Sequence, residues 1–347
     1  MRFEMKPTPG RANKLPGLEL LRFLAAFAVL VFHYRHFAFV ADTPIGLIQD
    51  RLPLYRLLHI FYDYGPYAVH VFWCISGFIF FWKYRDAIAD RSLDGGRFFV
   101  LRFSRLYPLH IATLLFVAAL QPLYFNLTGY FFGYQNNDLT NFVLQLLMAS
   151  NATVQNALSF NGPIWSISVE VLVYFFFFMI LLVTRSWLLN VAVIAISLMV
   201  PVQVADCFAF FYAGGLAAMA RQAVTSSVPA RAAESAGWLA IIVFLLCAWQ
   251  STNGHLESIR FVLLLTCTPM LLFCLSRDIV LPAPLQRFVE AAGNMTYSSY
   301  LLHFPIQLMV VLGFTFLRAP IPLYDGTFFG LFIGTTFAGR VSQPPVF

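Results

Sequence analysis

Ten apolar runs punctuate this chain, near residues 15–37, 60–82, 106–125, 164–184, 186–205, 207–220, 236–250, 259–276, 296–317 and 321–339. A helix of about 20 apolar residues reaches across the hydrocarbon core of a bilayer, about 30 Å thick. It also satisfies its own backbone hydrogen bonds there, which lipid cannot do. Several runs are shorter than that, so their ends are loosely defined. Charged residues make up 11% of the chain, against about 25% in an ordinary soluble domain. That leaves too few to clothe a water-exposed surface. The runs therefore predict an all-α, polytopic transmembrane helical bundle of about ten spans with no soluble domain. Residues 1–14 read as a cytoplasmic tail, 15–339 as one membrane domain and 340–347 as a short C-terminal tail. The first run is too long for a signal-peptide core and no small-residue cleavage site follows it, so it reads as a retained span.

An eleventh candidate, 142–158 (FVLQLLMASNATVQNAL), is broken by Gln145, Ser150, Asn151, Gln155 and Asn156. The distribution of Lys and Arg arbitrates, because cytoplasmic loops carry the excess. If 142–158 does not span and the N-terminus is inside, about 16 cations lie inside and about 5 outside. If it spans, every later loop flips and the split falls to about 12 against 9. The expectation is ten spans, both termini cytoplasmic and a basic cytoplasmic segment over 83–105. The net charge of +6 fits basic cytoplasmic loops. No nucleic-acid-binding motif accompanies it. Five cysteines, Cys74, Cys207, Cys247, Cys267 and Cys274, all sit in apolar stretches without a CxxC pair. They read as buried free thiols, with no metal site.

Against that background the polar residues inside the runs stand out, since an ionisable group at membrane depth is costly and usually faces a cavity. Arg22 and His33 share the first run. Eleven residues bring them to nearly one helix face, about 16 Å apart along the axis. Snorkelling, or pairing of Arg22 with Glu19, accounts for the arginine without a cavity. An outer interfacial cluster with Tyr34, Arg35 and His36 does the same for His33. Ser76-Gly77 in FWCISGFIFFW allows close approach of a second helix or of a ligand. Arg102 and Arg105 project from one helix face at i,i+3, as a phosphate grip or as ordinary positive-inside anchors. In NGPIWSISVEVLVYFFF, Trp165 suits an interfacial belt. Glu170 lies about one and a half turns into a very apolar helix, at the estimated depth of His33, where it would orient or relay protons for the imidazole. In NMTYSSYLLHFPIQ, Tyr297, Ser298, Tyr300 and His303 precede Pro305 at the entry to a run; His303 caps a helix break or lines a cavity.

In this order and spacing the motifs resemble the acyltransferase type 3 family of integral-membrane O-acyltransferases. The matching pieces are Arg22-x10-His33, Ser76-Gly77-Phe78, Arg102-x-x-Arg105, Pro163-x-Trp165-Ser166-x-Ser168-x-Glu170 and Ser298/Ser299-Tyr300-x-x-His303-x-Pro305. The resemblance covers about residues 15–317. It implies transfer of an acyl group, usually acetyl, from cytoplasmic acyl-CoA to a hydroxyl of a carbohydrate or another envelope molecule, in a bacterial inner membrane and without a metal. It implies that His33 is the catalytic histidine, with Glu170 beside it. Arg22, Arg102 and Arg105 would handle acyl-CoA or shape the site. Ser76, Gly77, Trp165, Ser166, Tyr300 and His303 would contact substrate or support the structure.

The C-terminus departs from the family pattern, in which a Ser and a Glu-x-Pro precede a basic tail. Here the chain reads TTFAGRVSQPPVF, and the resemblance therefore implies a truncated or frameshifted last span. A transporter or flippase for a sugar-containing or lipid-linked substrate also accounts for ten spans and buried charges. Such proteins often carry two related halves, and no internal repeat is visible in this sequence.

Overall fold

The computed structural model describes residues 15–150, 158–227, 234–239, 241–242, 256–277 and 281–339. Its helices are α1 (Pro16–His33), α2 (Tyr55–Tyr64), α3 (Ala68–Ala89), α4 (Gly95–Thr128), α5 (Leu139–Leu146) and α6 (Ile164–Val183). They continue with α7 (Trp187–Ser197), α8 (Gln203–Ser227), α9 (Leu256–Leu275), α10 (Ala283–Leu317) and α11 (Gly326–Ala338). Among the described residues the strand content is one two-residue hairpin, Phe39–Val40 against Thr43–Pro44. The fold is all-α, as the composition requires.

Among the described residues, six helical segments are long and apolar enough to cross a membrane: 16–38, 55–89, 95–128, 164–183, 203–224 and 283–317. The runs expected at 186–205, 259–276 and 321–339 appear as shorter apolar helices, and the run at 236–250 lies largely outside the described residues. Helix α5, at eight residues, is about 12 Å long and by itself cannot span. Three expectations about boundaries are corrected. Residues 83–89 and 95–105 belong to α3 and α4, so the basic segment is two helix ends joined by a short turn. Asp94 caps α4 by accepting from the Arg97 N–H at 2.9 Å. The run beginning at 296 is the second half of a 35-residue helix that starts at Ala283. Hydropathy marks the part of a helix that suits lipid, whereas helical hydrogen bonding continues into charged flanks.

Pro305 corrects a third expectation, because α10 passes through it without a break. Proline has no N–H to offer the carbonyl four residues earlier. That carbonyl belongs to Leu301, and the Asn161 side-chain amide donates to it at 3.2 Å. The substitute partner comes from the segment before α6 and pins it to α10.

The densest packing joins α3 to α8. A Cβ built on Gly77 would sit 1.8 Å from the Phe211 carbonyl oxygen, and one on Gly214 1.9 Å from that of Cys74. The two backbones touch through reciprocal glycines, the membrane mode of close helix approach. Around this contact Phe80, Tyr174, Phe177 and Phe211 form an aromatic core, with Phe80 stacked on Tyr174 at 4.1 Å. A second core joins the ends of α1, α4 and α10 to α2 and α11. Between them Ala25, Ala28 and Val29 meet Ile164, Ile167 and Leu301, where α1, α6 and α10 converge. Cys74, Cys207, Cys267 and Cys274 are free thiols, and Cys247 lies outside the described residues.

Candidate active site

The polar residues of the long helices gather in two places. The first is a cavity, partly open to its surroundings, walled by α1, α3, α4, α6 and α10. Arg22, Arg102, Arg105, Ser76, Ser166, Glu170, Tyr174, Tyr297 and Tyr300 supply its polar lining, with apolar walls from Phe72, Trp73, Ile79 and Phe80. Three guanidiniums face one carboxylate on this wall. Arg22 is paired with Glu19 at 3.3 Å. Glu19 is wedged against Gly293, where a Cβ would fall 1.8 Å from its carboxylate oxygen. Arg102 lies over the faces of Phe80 and Tyr84, 4.3 and 4.5 Å from their centroids, which favours a cation. The helical i,i+3 spacing does bring Arg102 and Arg105 to one wall.

Glu170 belongs to this cavity. It accepts from the Tyr174 hydroxyl at 2.5 Å, and that hydroxyl meets Ser76 Oγ at 3.0 Å. The expected depth of Glu170 is thereby corrected. Ile164 packs at the level of Ala25 to Val29, and six residues of helix carry Glu170 about 9 Å further, towards Arg22 and away from His33. Ser76 and Gly77 divide their roles, since the serine faces the cavity while the glycine meets α8. Trp165 packs edge to face on Trp73 at 5.7 Å, so it joins the aromatic core instead of standing in a lipid-facing belt.

The second gathering lies at the end of α1. His33 closes the helix, and its carbonyl accepts from the Gln307 amide at 2.7 Å. The ring Nδ1 of His33 is 3.2 Å from Nε2 of His36, on the 3-10 turn Tyr34–Ala38. His303 of α10 lies against His33 with ring centroids 4.9 Å apart. His36 and His303 are buried, and among the described residues neither nitrogen of His303 has a side-chain hydrogen-bond partner. Tyr134 closes over His36 from the loop before α5. Burial raises the Tyr134 phenol above its ordinary range and keeps it neutral.

Tyr300 separates the two gatherings. Its hydroxyl meets Ser166 Oγ at 2.7 Å and donates to the Pro163 carbonyl at 3.0 Å, while its ring lies 6.0 Å from that of His303, one turn on. Sequence reading missed His36 as a buried group, and it missed Tyr174, Gln307 and Asn161 altogether. One-turn spacing signals two of them: Tyr174 follows Glu170 by four residues and Gln307 follows His303 by four.

Residues 15–339 match a family model described as an acyltransferase domain. The chain belongs to the acyltransferase type 3 family. The two polar gatherings are its candidate site. A similar protein is Acyltransferase MdmB of Streptomyces mycarofaciens, 31% identical over 176 residues. The aligned part is 49% of this chain and 40% of that relative, so the chain spans less than half of the relative's length. No solved structure matches the chain.

Proposed function

We propose that the protein is an acyl-CoA-dependent O-acyltransferase that moves an acetyl group from the cytoplasm to a hydroxyl of a carbohydrate or other envelope molecule. The observation that carries this reading is the joint placement of Arg22, Arg102 and Arg105 on one cavity, with His33 further along the helix that holds Arg22. Guanidiniums grip phosphates by bidentate, charge-assisted hydrogen bonds, so the arginines hold the nucleotide end of the donor. The apolar walls take its pantetheine arm, and the thioester points to the histidines. His33 Nε2 takes the proton of the acceptor hydroxyl as the oxygen attacks the thioester carbonyl. The carbon–sulfur bond then breaks, and the departing thiolate recovers the proton from the imidazolium. The products are an ester and CoA. Glu170 balances the arginines and aligns Tyr174 and Ser76. Trp165, Tyr300 and His303 shape the passage between cavity and histidines.

The topology belongs to the same reading: ten spans, both termini cytoplasmic, residues 142–158 not spanning, and a bacterial inner membrane. The acceptor class includes exopolysaccharide, lipopolysaccharide, lipid-linked sugars, lipooligosaccharide signals and small hydroxylated metabolites. The test pairs mass spectrometry of envelope glycans, with and without the gene, with labelled acetyl-CoA on membranes carrying His33→Gln. The variant should express, bind acetyl-CoA and lose transfer by at least about a hundredfold, the low end for acid–base catalysis. Near-normal transfer would end the catalytic role of His33.

A further inference from the structure

A histidine that acts as a base must present a bare Nε2, which requires the proton to sit on Nδ1 and a partner to hold it there. In serine hydrolases a carboxylate does this. Here Glu170 lies with the arginines, hydrogen-bonded to Tyr174. Among the described residues the ring nitrogen of His33 meets another imidazole, Nε2 of His36 at 3.2 Å. The alternatives nearby do other things. Gln307 Nε2 binds the His33 carbonyl, and His303 has no side-chain hydrogen bond at either nitrogen. The His36 ring is itself wedged, with Phe39 at 4.6 Å, Tyr134 at 5.9 Å and Phe304 at 6.3 Å.

We propose that His36 is the positioning residue that accepts from His33 Nδ1–H and so fixes the tautomer in which His33 Nε2 is free. The proposal rests on the role given to His33 above. The opposite arrangement, with His36 Nε2–H donating, leaves the proton on His33 Nε2 and makes it useless as a base. It would also set two N–H groups face to face once His33 became an imidazolium. With His36 as acceptor the same hydrogen bond becomes charge-assisted and strengthens as the proton arrives. The Nδ1 proton stays on His33 throughout.

Two measurements on the full-length protein in proteoliposomes test this. The first is the solid-state 15N spectrum of protein labelled at its 7 histidines, with His33 assigned by difference from His33→Gln. Protonated Nδ1 and bare Nε2 are expected in the wild type and in His36→Gln, whose amide oxygen can replace the acceptor. His36→Leu should show mixed tautomers. The second is release of CoA thiol from acetyl-CoA with water as the acceptor, which yields acetate and CoA. His36→Leu should lower kcat about tenfold or more with KM unchanged, and His36→Gln should restore most of it, as expected of a group that only orients a base. A wild-type His33 protonated on Nε2 overturns the proposal, as does a His36→Leu protein with unchanged tautomer and turnover. If His36→Leu does not fold, the wild-type and His36→Gln spectra still decide. Normal turnover in His33→Gln would remove the catalytic reading and leave the tautomer result standing.

Discussion

The Ser76-Gly77 pair offers a sharp separation of packing from ligand contact, because adjacent residues face different partners. A methyl group on Gly77 would lie 1.8 Å from the Phe211 carbonyl oxygen, where ordinary contact begins at 3.4 Å. Backbone cannot swing aside as a side chain can, so α3 and α8 must part by about 1.6 Å or bend. Overpacking of this kind costs about 1–3 kcal/mol, and the parted helices also lose dispersion contacts along the interface. Gly77→Ala should therefore lower the detergent-unfolding free energy by that amount while the folded fraction still binds acetyl-CoA normally. Gly214→Ala should behave alike, its Cβ falling 1.9 Å from the Cys74 oxygen. The double variant should cost less than the sum, since one separation relieves both clashes. Ser76→Ala should do the opposite, keeping the fold and changing donor affinity. An unaltered unfolding free energy in Gly77→Ala, or lost donor binding in its folded fraction, would refute the assignment of this glycine to the helix contact.

Two further outcomes are expected. Arg102→Ala and Arg105→Ala should each weaken acetyl-CoA binding about tenfold to a hundredfold, the worth of a charge-assisted contact of about 1.5–3 kcal/mol, by equilibrium binding to purified protein; unchanged affinity in both would return them to topology anchors. Single cysteines placed in 126–141 and 159–163, in a background without native cysteines, should react with an impermeant maleimide from the same side of the membrane; opposite sides would overturn the non-spanning reading of 142–158 and the ten-span count.

Much of the fold was legible because lipid imposes a simple demand, and long apolar runs meet it with helices. The helix ends were less legible. Nothing in the hydropathy of 95–105 or 283–295 distinguishes a charged loop from a charged helix end, yet both are helical. In the site, residue type and spacing brought Arg22, Arg102, Arg105, Ser76, Ser166, Glu170 and Tyr300 to one cavity. They did not give the depth of Glu170, which depends on how α1 and α6 are staggered through Ile164 and Ala28. Nor did they expose Asn161, whose amide matters because Pro305, more than a hundred residues later, leaves a carbonyl without its partner. Such pairings are tertiary facts, and a single chain read linearly carries them only as two separate residues.

The wall between the two gatherings bears on how an acyl donor would be used. Arg22 and His33 are about 16 Å apart along α1, so a donor held by its phosphates can reach the histidines only if its reactive end lies on a long arm. Tyr300 borders that route, lining the cavity with its ring 6.0 Å from that of His303, and a 2.7 Å hydrogen bond joins it to Ser166. Such a bond is worth about 0.5–1.5 kcal/mol net, whereas micromolar donor binding supplies about 8 kcal/mol. Turning Tyr300 aside to admit such an arm would also release its bond to the Pro163 carbonyl, and the two bonds together would take less than half of that binding energy.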